Sequence, residues 1–489
     1  MSSVKRLITN TYSMFIAQGL QPFLSILLVV VIGRTLGKEI YGQYIIIFQI
    51  YSIFQITCSL GLKTLLTREV AKDKSNSNRY LVNGVLLGIP AALINIIIAV
   101  VAVFLLNYES NVAIGAYIIT IAFIAAGLSD ILSGILTGFE EVKKIAHAWI
   151  VFLVLKTLFS VVALLTGFGL YALIIIHIVT KFIHSILIYF YIYKITGKPR
   201  LEIDFPLWHQ LIKMGWSLAL LAIMVSLFWR VDAIMLSKMV SDEMVGNYGA
   251  AYRIFHFMLM TVRSFSMAFF PMISSMAVNR PKDFRKACRK AIRYLTILVV
   301  PLAVISTFLA APIMNLLWGE KFDIPIVAQV LQVMIWSLVP FGISEVFGSA
   351  LIASGKQVTY FTIKTVVLIL KMILNYYLTI KFGVVGPAIS TIIALVLLLM
   401  MQFPFIVPGL LRFQIKSVLV PFIKLLGAIG LTSLALYAVH SYHFVLGMLL
   451  GGLVYVGALV LLKMVTNKDM VYFRKLRKGK SKRQTVVTE

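Results

Sequence analysis

Trp229-Arg-Val-Asp-Ala-Ile-Met-Leu-Ser-Lys-Met-Val-Ser-Asp-Glu-Met-Val-Gly-Asn-Tyr-Gly-Ala-Ala-Tyr-Arg-Ile254 sets two apolar segments around a short polar hairpin and places Arg230, Asp232 and Arg253 inside them. A second version lies 204 residues earlier, Ile32-Gly-Arg-Thr-Leu-Gly-Lys-Glu-Ile-Tyr-Gly-Gln-Tyr44. Arg34, Glu39, Gly42, Tyr44 and Ile50 there stand opposite Lys238, Glu243, Gly246, Tyr248 and Ile254. Further along, at an offset of 215, Asp130 matches Glu345, Leu136 matches Leu351 and Lys156 matches Lys371. The chain therefore repeats, and the unit of repetition is about six apolar segments long.

Those segments decide the fold class. The 489 residues are 60% hydrophobic and 13% charged, far more apolar than a soluble core requires. The apolar residues fall in continuous runs of about 20, enough to cross a bilayer as helix. Only helices or closed barrels satisfy their backbone in lipid, and barrel strands alternate polar and apolar residues, which these runs do not. We expect an all-α polytopic membrane protein of about 14 spans: 12–32, 44–62, 81–106, 112–136, 146–166, 170–193, 212–236, 247–276, 294–317, 327–351, 359–380, 384–408, 418–438 and 443–463. Spans 1–6 and 7–12 form two parallel six-helix repeats, because six crossings return the chain to its starting side. The expected divisions are 1–200, 201–410, and 411–489 for two added helices and a basic tail. The N-terminal run is too long for a signal peptide and lacks a small-residue cleavage site, so it reads as the first span.

The formal net charge of +27 has to be read against the membrane. With the termini placed inside, the inner segments and adjoining span ends hold 34 of the 45 Lys and Arg, the outer loops hold five, and six lie deep within spans. This asymmetry predicts a cell-membrane protein with both termini cytoplasmic. The richest inner stretches, Arg280–Arg293 and Arg474–Arg483, read either as topology signals attracted to anionic headgroups or as a first contact for a phosphate-bearing substrate. No nucleic-acid partner is expected. Outer loops such as 107–111 and 441–442 are too short for a domain. Cys58 and Cys288 offer neither a disulfide framework nor a metal site, and no metal or cofactor is expected.

An ionisable group inside a span costs a few kcal/mol and so marks a partner, a wet cavity or a functional site. Asp130 and Lys156 lie at similar depth on neighbouring spans, about eight and ten residues from the inner ends, and can pair. Glu345 and Lys371 can do the same in the second copy, the alternative for all four being substrate or ion contact. Arg253, His256 and Arg263, at i, i+3 and i+10, fall within an arc of about 80° on span 8. The matching positions of span 2 are Gln49, Ser52 and Ser59, polar but uncharged. His177, Lys181 and His184 form a second basic stripe on span 6. The two stripes suggest a polar cavity between lobes; pairing within the bundle is the plainer reading. Asp232 either pairs with Arg253 or binds a coupling proton or cation, while Arg230, 200° around its helix, faces elsewhere.

The paired patterns Arg34–Tyr44 and Asp232–Tyr252 resemble those of polysaccharide-exporting flippases, the Wzx-like transporters of lipid-linked oligosaccharides, which belong with lipid II flippases and multidrug and toxic compound extrusion antiporters. The two extra C-terminal spans are similar to those of the lipid flippases. The resemblance implies translocation of a polyprenyl pyrophosphate-linked glycan by alternating access, with membrane lipids and the glycan polymerase or glycosyltransferase machinery as partners. It would cast Arg253, Arg263, His256, Lys181, His177, His184 and Arg230 as substrate contacts, and Asp232, Asp130, Lys156, Glu345 and Lys371 as coupling or gating groups. A cation-coupled drug antiporter is the nearest alternative, but the six basic residues deep within spans outnumber the acids Asp130, Asp232 and Glu345. A glycan polymerase or ligase would need a long outer loop, and no P-loop or nucleophile elbow is present, so no enzymatic activity is expected.

Overall fold

The computed structural model describes residues 3–279, 281–406, 415–439, 444–462 and 464. Among these, regular structure is helical throughout, and nine continuous stretches are long and apolar enough to cross a membrane. Two of the nine, Tyr12–Lys72 and Gln357–Ile406, each carry two of the expected spans. With α8 (Phe205–Leu236), α16 (Ile415–Val439) and α17 (Phe444–Leu461), the count reaches the expected fourteen. The basic tail Arg474–Arg483 lies outside the described residues.

The chain forms two compact units: 1–254 with 317–327 and 368–390, and 255–316 with 328–367 and 391–489. In the first, α1 (Ser3–Phe54) carries the first two spans across non-helical backbone at Gly37 (φ 82°, ψ 176°), a conformation glycine adopts without a Cβ penalty. A 3₁₀ turn (Gln55–Thr57) and left-handed backbone at Leu60 and Gly61 then reverse the chain into α2 (Leu62–Lys72). The span limits 44–62 and 81–106 make 63–80 a connection; within it α2 is an amphipathic helix burying Leu62, Leu65, Leu66 and Val70. It lies on α5 (Ala122–Gly138), where small residues admit close backbone contact: a Cβ on Gly134 would meet the Lys63 carbonyl oxygen at 2.7 Å.

α3 (Ser77–Leu105), α4 (Ser110–Ile119), α6 (Val142–Leu165) and α7 (Leu170–Thr196) complete the first six spans, α4 and α5 sharing one. The connection from α7 to α8 is pinned. Asp204 caps α8 by accepting from the Leu207 N–H at 2.9 Å and from Arg79 Nε at 2.6 Å, and these two donors hold its carboxyl below the usual carboxylate range. Asn83 holds the same loop, donating to the Glu202 carbonyl and accepting from the Asp204 N–H and the Trp208 indole.

In the second unit, α10 (Pro281–Phe308) turns most of the basic stretch 280–293 into helix rather than loop. Phe284, Cys288, Ala291 and Leu295 recur at helical spacing and are buried, leaving Lys286 and Lys290 exposed. The far end of α10 packs through Val300 and Val304 against α16 and α17, around Leu425, Ala428, Leu436 and Ala458. The Tyr455 hydroxyl donates to the Ile297 carbonyl at 3.0 Å, which ties the last span to α10. α9 (Asp242–Asn279), α12 (Ile324–Met334) with α13 (Leu338–Ala353), and α14 (Gln357–Phe382) with α15 (Gly386–Ile406) carry the remaining spans, residues 242–254 and 368–390 of them belonging to the first unit, and α11 (Ala310–Trp318) is a short helix that follows α10.

Candidate functional site

The basic stripe on α7 faces protein. His177, Lys181 and His184 are buried, and the aromatic residues around them come from α1 and α6. The His177 ring meets Phe48, Tyr51 and Phe152 edge-on, at centroid distances of 5.0, 4.8 and 5.9 Å. Lys181 Nζ lies 5.5 Å from the Trp149 ring and 5.4 Å from Phe152, and Lys156 Nζ lies 4.7 Å from Phe48. The result is a continuous network in which each cation rests on a ring, a contact that gains strength as water is excluded. Both ring nitrogens of His177 and of His184, and the Tyr51 hydroxyl, are buried without a hydrogen-bond partner. Buried polar atoms are nearly always satisfied, and these five, a donor and an acceptor on each neutral ring and a hydroxyl, are hydrogen-bonding capacity the described residues do not use. The sequence identified the basic residues; it missed Phe48, Tyr51, Trp149 and Phe152, which an apolar span does not distinguish from lipid-facing aromatics.

Arg230 and Arg253 both return to α1. Arg230 donates to Ser226 Oγ at 2.9 Å and to Gln49 Oε1 at 3.1 Å, while Arg253 donates to the Ser25 carbonyl at 3.2 Å. Gln49 is the repeat counterpart of Arg253, so residues of the second copy bind the opposite span of the first. Arg253 Nε is buried without a hydrogen-bond partner. Among the described residues, none of Lys156, Lys181 and Arg253 is ion-paired to a carboxylate.

The expected pairings need correction. Asp232 bonds not to Arg253 but to Lys371, whose Nζ is 2.8 Å from Asp232 Oδ2 and 2.7 Å from the Phe228 carbonyl oxygen. Asn375 donates to Asp232 Oδ1 at 2.9 Å, and Ser390 donates to Asn375 Oδ1 at 2.7 Å. All four side chains are buried. Lys371, expected on Glu345, is thus committed to α8; Glu345 sits partly buried on α13 in the second unit. Asp130 bonds not to Lys156 but to Lys63 at 3.4 Å, because the reversal before α2 lays Lys63 along α5, while Lys156 rests on Phe48. Asn375 and Ser390 were missed; one turn after Lys371, Asn375 lies on the same helix face, the one signal that could have found it. His256 and Arg263 lie partly buried on α9 (Asp242–Asn279), in the second unit.

The two repeated hairpins meet at their glycines. A Cβ on Gly42 would collide with the Asp242 carbonyl oxygen, and one on Gly246 with that of Lys38. Beside them Lys38 Nζ pairs with Glu243 at 2.5 Å, Arg34 Nε donates to the Leu317 carbonyl at 2.8 Å, and Lys321 Nζ donates to the Thr35 carbonyl at 2.9 Å. Tyr41 packs on Trp318 with ring centroids 5.3 Å apart. The shared glycines are therefore a backbone-to-backbone clasp.

A fourteen-span helical chain with internal repeats and buried basic groups defines a multi-pass membrane transporter. Its family follows from the sequence: the family models described as Polysaccharide biosynthesis protein and Lipid II flippase MurJ match residues 7–277 and 187–455, each more than half of the chain, and the chain belongs to these polysaccharide-biosynthesis and lipid-flippase families. No curated protein matches it by sequence. Among solved structures, a lipid II flippase MurJ in an inward closed conformation is similar with a TM-score of 0.77 and 17% identity, over 95% of this chain and 100% of that one. An inward-facing multidrug resistance MATE family transporter of the MOP superfamily follows at 0.66 and 13%, over 80% and 96%. A MOP superfamily transporter from Pyrococcus furiosus Vc1, described as having a binding pocket of reverse polarity, gives 0.60 and 13%, over 82% and 94%. At these identities the likeness is one of fold.

Proposed function

We propose that the protein flips a lipid-linked oligosaccharide, carried on a polyprenyl pyrophosphate, from the cytoplasmic to the outer leaflet of the cell membrane by alternating access. Family membership supports the flippase class. The observation that carries the anionic substrate is that Lys156, Lys181 and Arg253, buried to different degrees within spans, have no carboxylate partner among the described residues, while the buried acid Asp232 is already neutralised by Lys371. Uncompensated positive charge in a low-dielectric interior is costly, and a pyrophosphate or an acidic sugar entering with its headgroup would relieve it. The polyprenyl tail can stay in lipid, so only the headgroup needs a polar route.

In this reading Arg253 and Arg230 meet the phosphates and the ring-backed cations of α6 and α7 meet the sugars, while His256 and Arg263 are the substrate contacts of the second unit. The repeats 1–200 and 201–410 are the lobes that exchange access, both termini are cytoplasmic, and the glycan polymerase and glycosyltransferases are the partners on either side of the step. The protein moves its substrate without chemically changing it. A drug antiporter coupled to a cation would need an available carboxylate where this chain places an ion pair.

The test is complementation of a strain lacking the transporter with Arg253→Ala and Arg263→Ala. Both variants are expected to insert normally and to lose export of the glycan. Full complementation by both would remove the cationic-site proposal.

A further inference from the structure

Asp232 stands in a cage that already contains a cation. Lys371 Nζ is held by Asp232 Oδ2 at 2.8 Å and the Phe228 carbonyl at 2.7 Å, and the Tyr248 hydroxyl lies 3.5 Å from the same carboxylate oxygen. The rings of Phe228 and Trp229 lie 4.7 and 6.0 Å from Nζ, so the ammonium also has aromatic faces nearby. Asn375 donates to the other carboxylate oxygen, and its amide is fixed in that sense because its own oxygen accepts from Ser390. The elements involved are α8, α9, α14 and α15, and every side chain named in the hydrogen-bond set is buried.

A carboxylate oxygen and a backbone carbonyl oxygen that converge on one buried ammonium are oxygen donors of the kind that suit a hard cation. A buried carboxylate has to be neutralised by a proton, a partner or an ion. Here the neutralising charge is part of the chain, on a side chain that reaches from one helix to another. We propose that Lys371 is a tethered counter-ion: its ammonium fills a monovalent-cation site built by Asp232 and the Phe228 carbonyl. The wild-type protein then takes no inorganic cation there, and removing the ammonium opens the site to Na⁺ or Li⁺. A sodium gradient does not act through Asp232 in this protein. The inference does not depend on what the protein transports.

The test uses the purified full-length protein in nanodiscs of zwitterionic lipid, with thermal unfolding followed by tryptophan fluorescence in NaCl, LiCl, KCl or choline chloride at equal ionic strength. The wild type is expected to unfold at the same temperature in all four salts. Lys371→Ala is expected to be less stable in choline chloride and to gain about 2 °C or more in NaCl or LiCl, saturably, as a bound ligand stabilises the state it binds. The double variant Asp232→Asn/Lys371→Ala is expected to lose that gain. Saturable stabilisation of the wild type by sodium that Asp232→Asn/Lys371→Met abolishes would overturn the proposal. So would a Lys371→Ala protein that behaves alike in every salt, including one that fails to fold in all of them. A readout of stability keeps this outcome separate from that of the flippase reading.

Discussion

Lys181 and Lys156 show at the scale of single residues how this chain keeps charge inside a membrane. Each rests on aromatic rings instead of a carboxylate, Lys181 on Trp149 and Phe152, Lys156 on Phe48. A ring face steadies a cation without neutralising it, so the charge remains available to an anion. A hydrogen bond to a charged group contributes about 1.5–3 kcal/mol, which corresponds to roughly 10- to 150-fold in binding. Lys156→Met and Lys181→Met should each lower glycan export by that order with unchanged helical content by circular dichroism; wild-type export by the double variant would exclude these lysines from the substrate path. Periodicity in the sequence placed His177, Lys181 and His184 on one face, and they do lie together. It did not find their partners. Depth and face can be read along one helix, but which helix stands opposite is a tertiary fact, and every ion pair inferred from matching depth, Asp130 with Lys156, Glu345 with Lys371 and Asp232 with Arg253, is replaced by a different contact in the structure.

Among the helical elements, the clasp between the two repeated hairpins was half legible. The repeat revealed Gly42 and Gly246 as equivalent; that they touch each other's hairpins follows only from the fold, since the two positions are 204 residues apart. Neither glycine has positive φ, so space rather than backbone freedom requires the missing Cβ. Gly42→Ala or Gly246→Ala forces the backbones apart, with an overpacking cost of about 1–3 kcal/mol. A cysteine pair at Lys38 and Glu243, whose side chains meet at 2.5 Å, reports on the contact. Crosslinking should be efficient in the otherwise wild-type chain and clearly reduced with either alanine; equal crosslinking would show that the hairpins tolerate the methyl group. The helix α2 was not legible. Its apolar residues are few, and the reversal before it depends on left-handed backbone at Leu60 and Gly61, for which an isolated leucine gives no warning. The basic segment from 281 to 293 misled for a related reason: its charge suggests a loop, yet an alternating four- and three-residue apolar spacing beneath the charge makes it the amphipathic start of α10.

For the molecule as a whole, the sequence carried the fold class well because lipid leaves the backbone few choices. Run length accounts for the fourteen spans, and the internal matches for two parallel copies. The same physics limits what remains: a span must be apolar whatever its role, so the residues that build a site are hidden among those that face lipid. Asp232 is neutralised internally by Lys371, whereas Lys156, Lys181 and Arg253 have no carboxylate partner among the described residues, and the proposed anionic substrate rests on that difference. The most direct measurement is to deplete the protein and determine the amount and leaflet of the lipid-linked glycan intermediates. We predict that they accumulate on the cytoplasmic leaflet while export stops. Unchanged intermediates together with altered tolerance to cationic drugs would contradict the account and favour an antiporter.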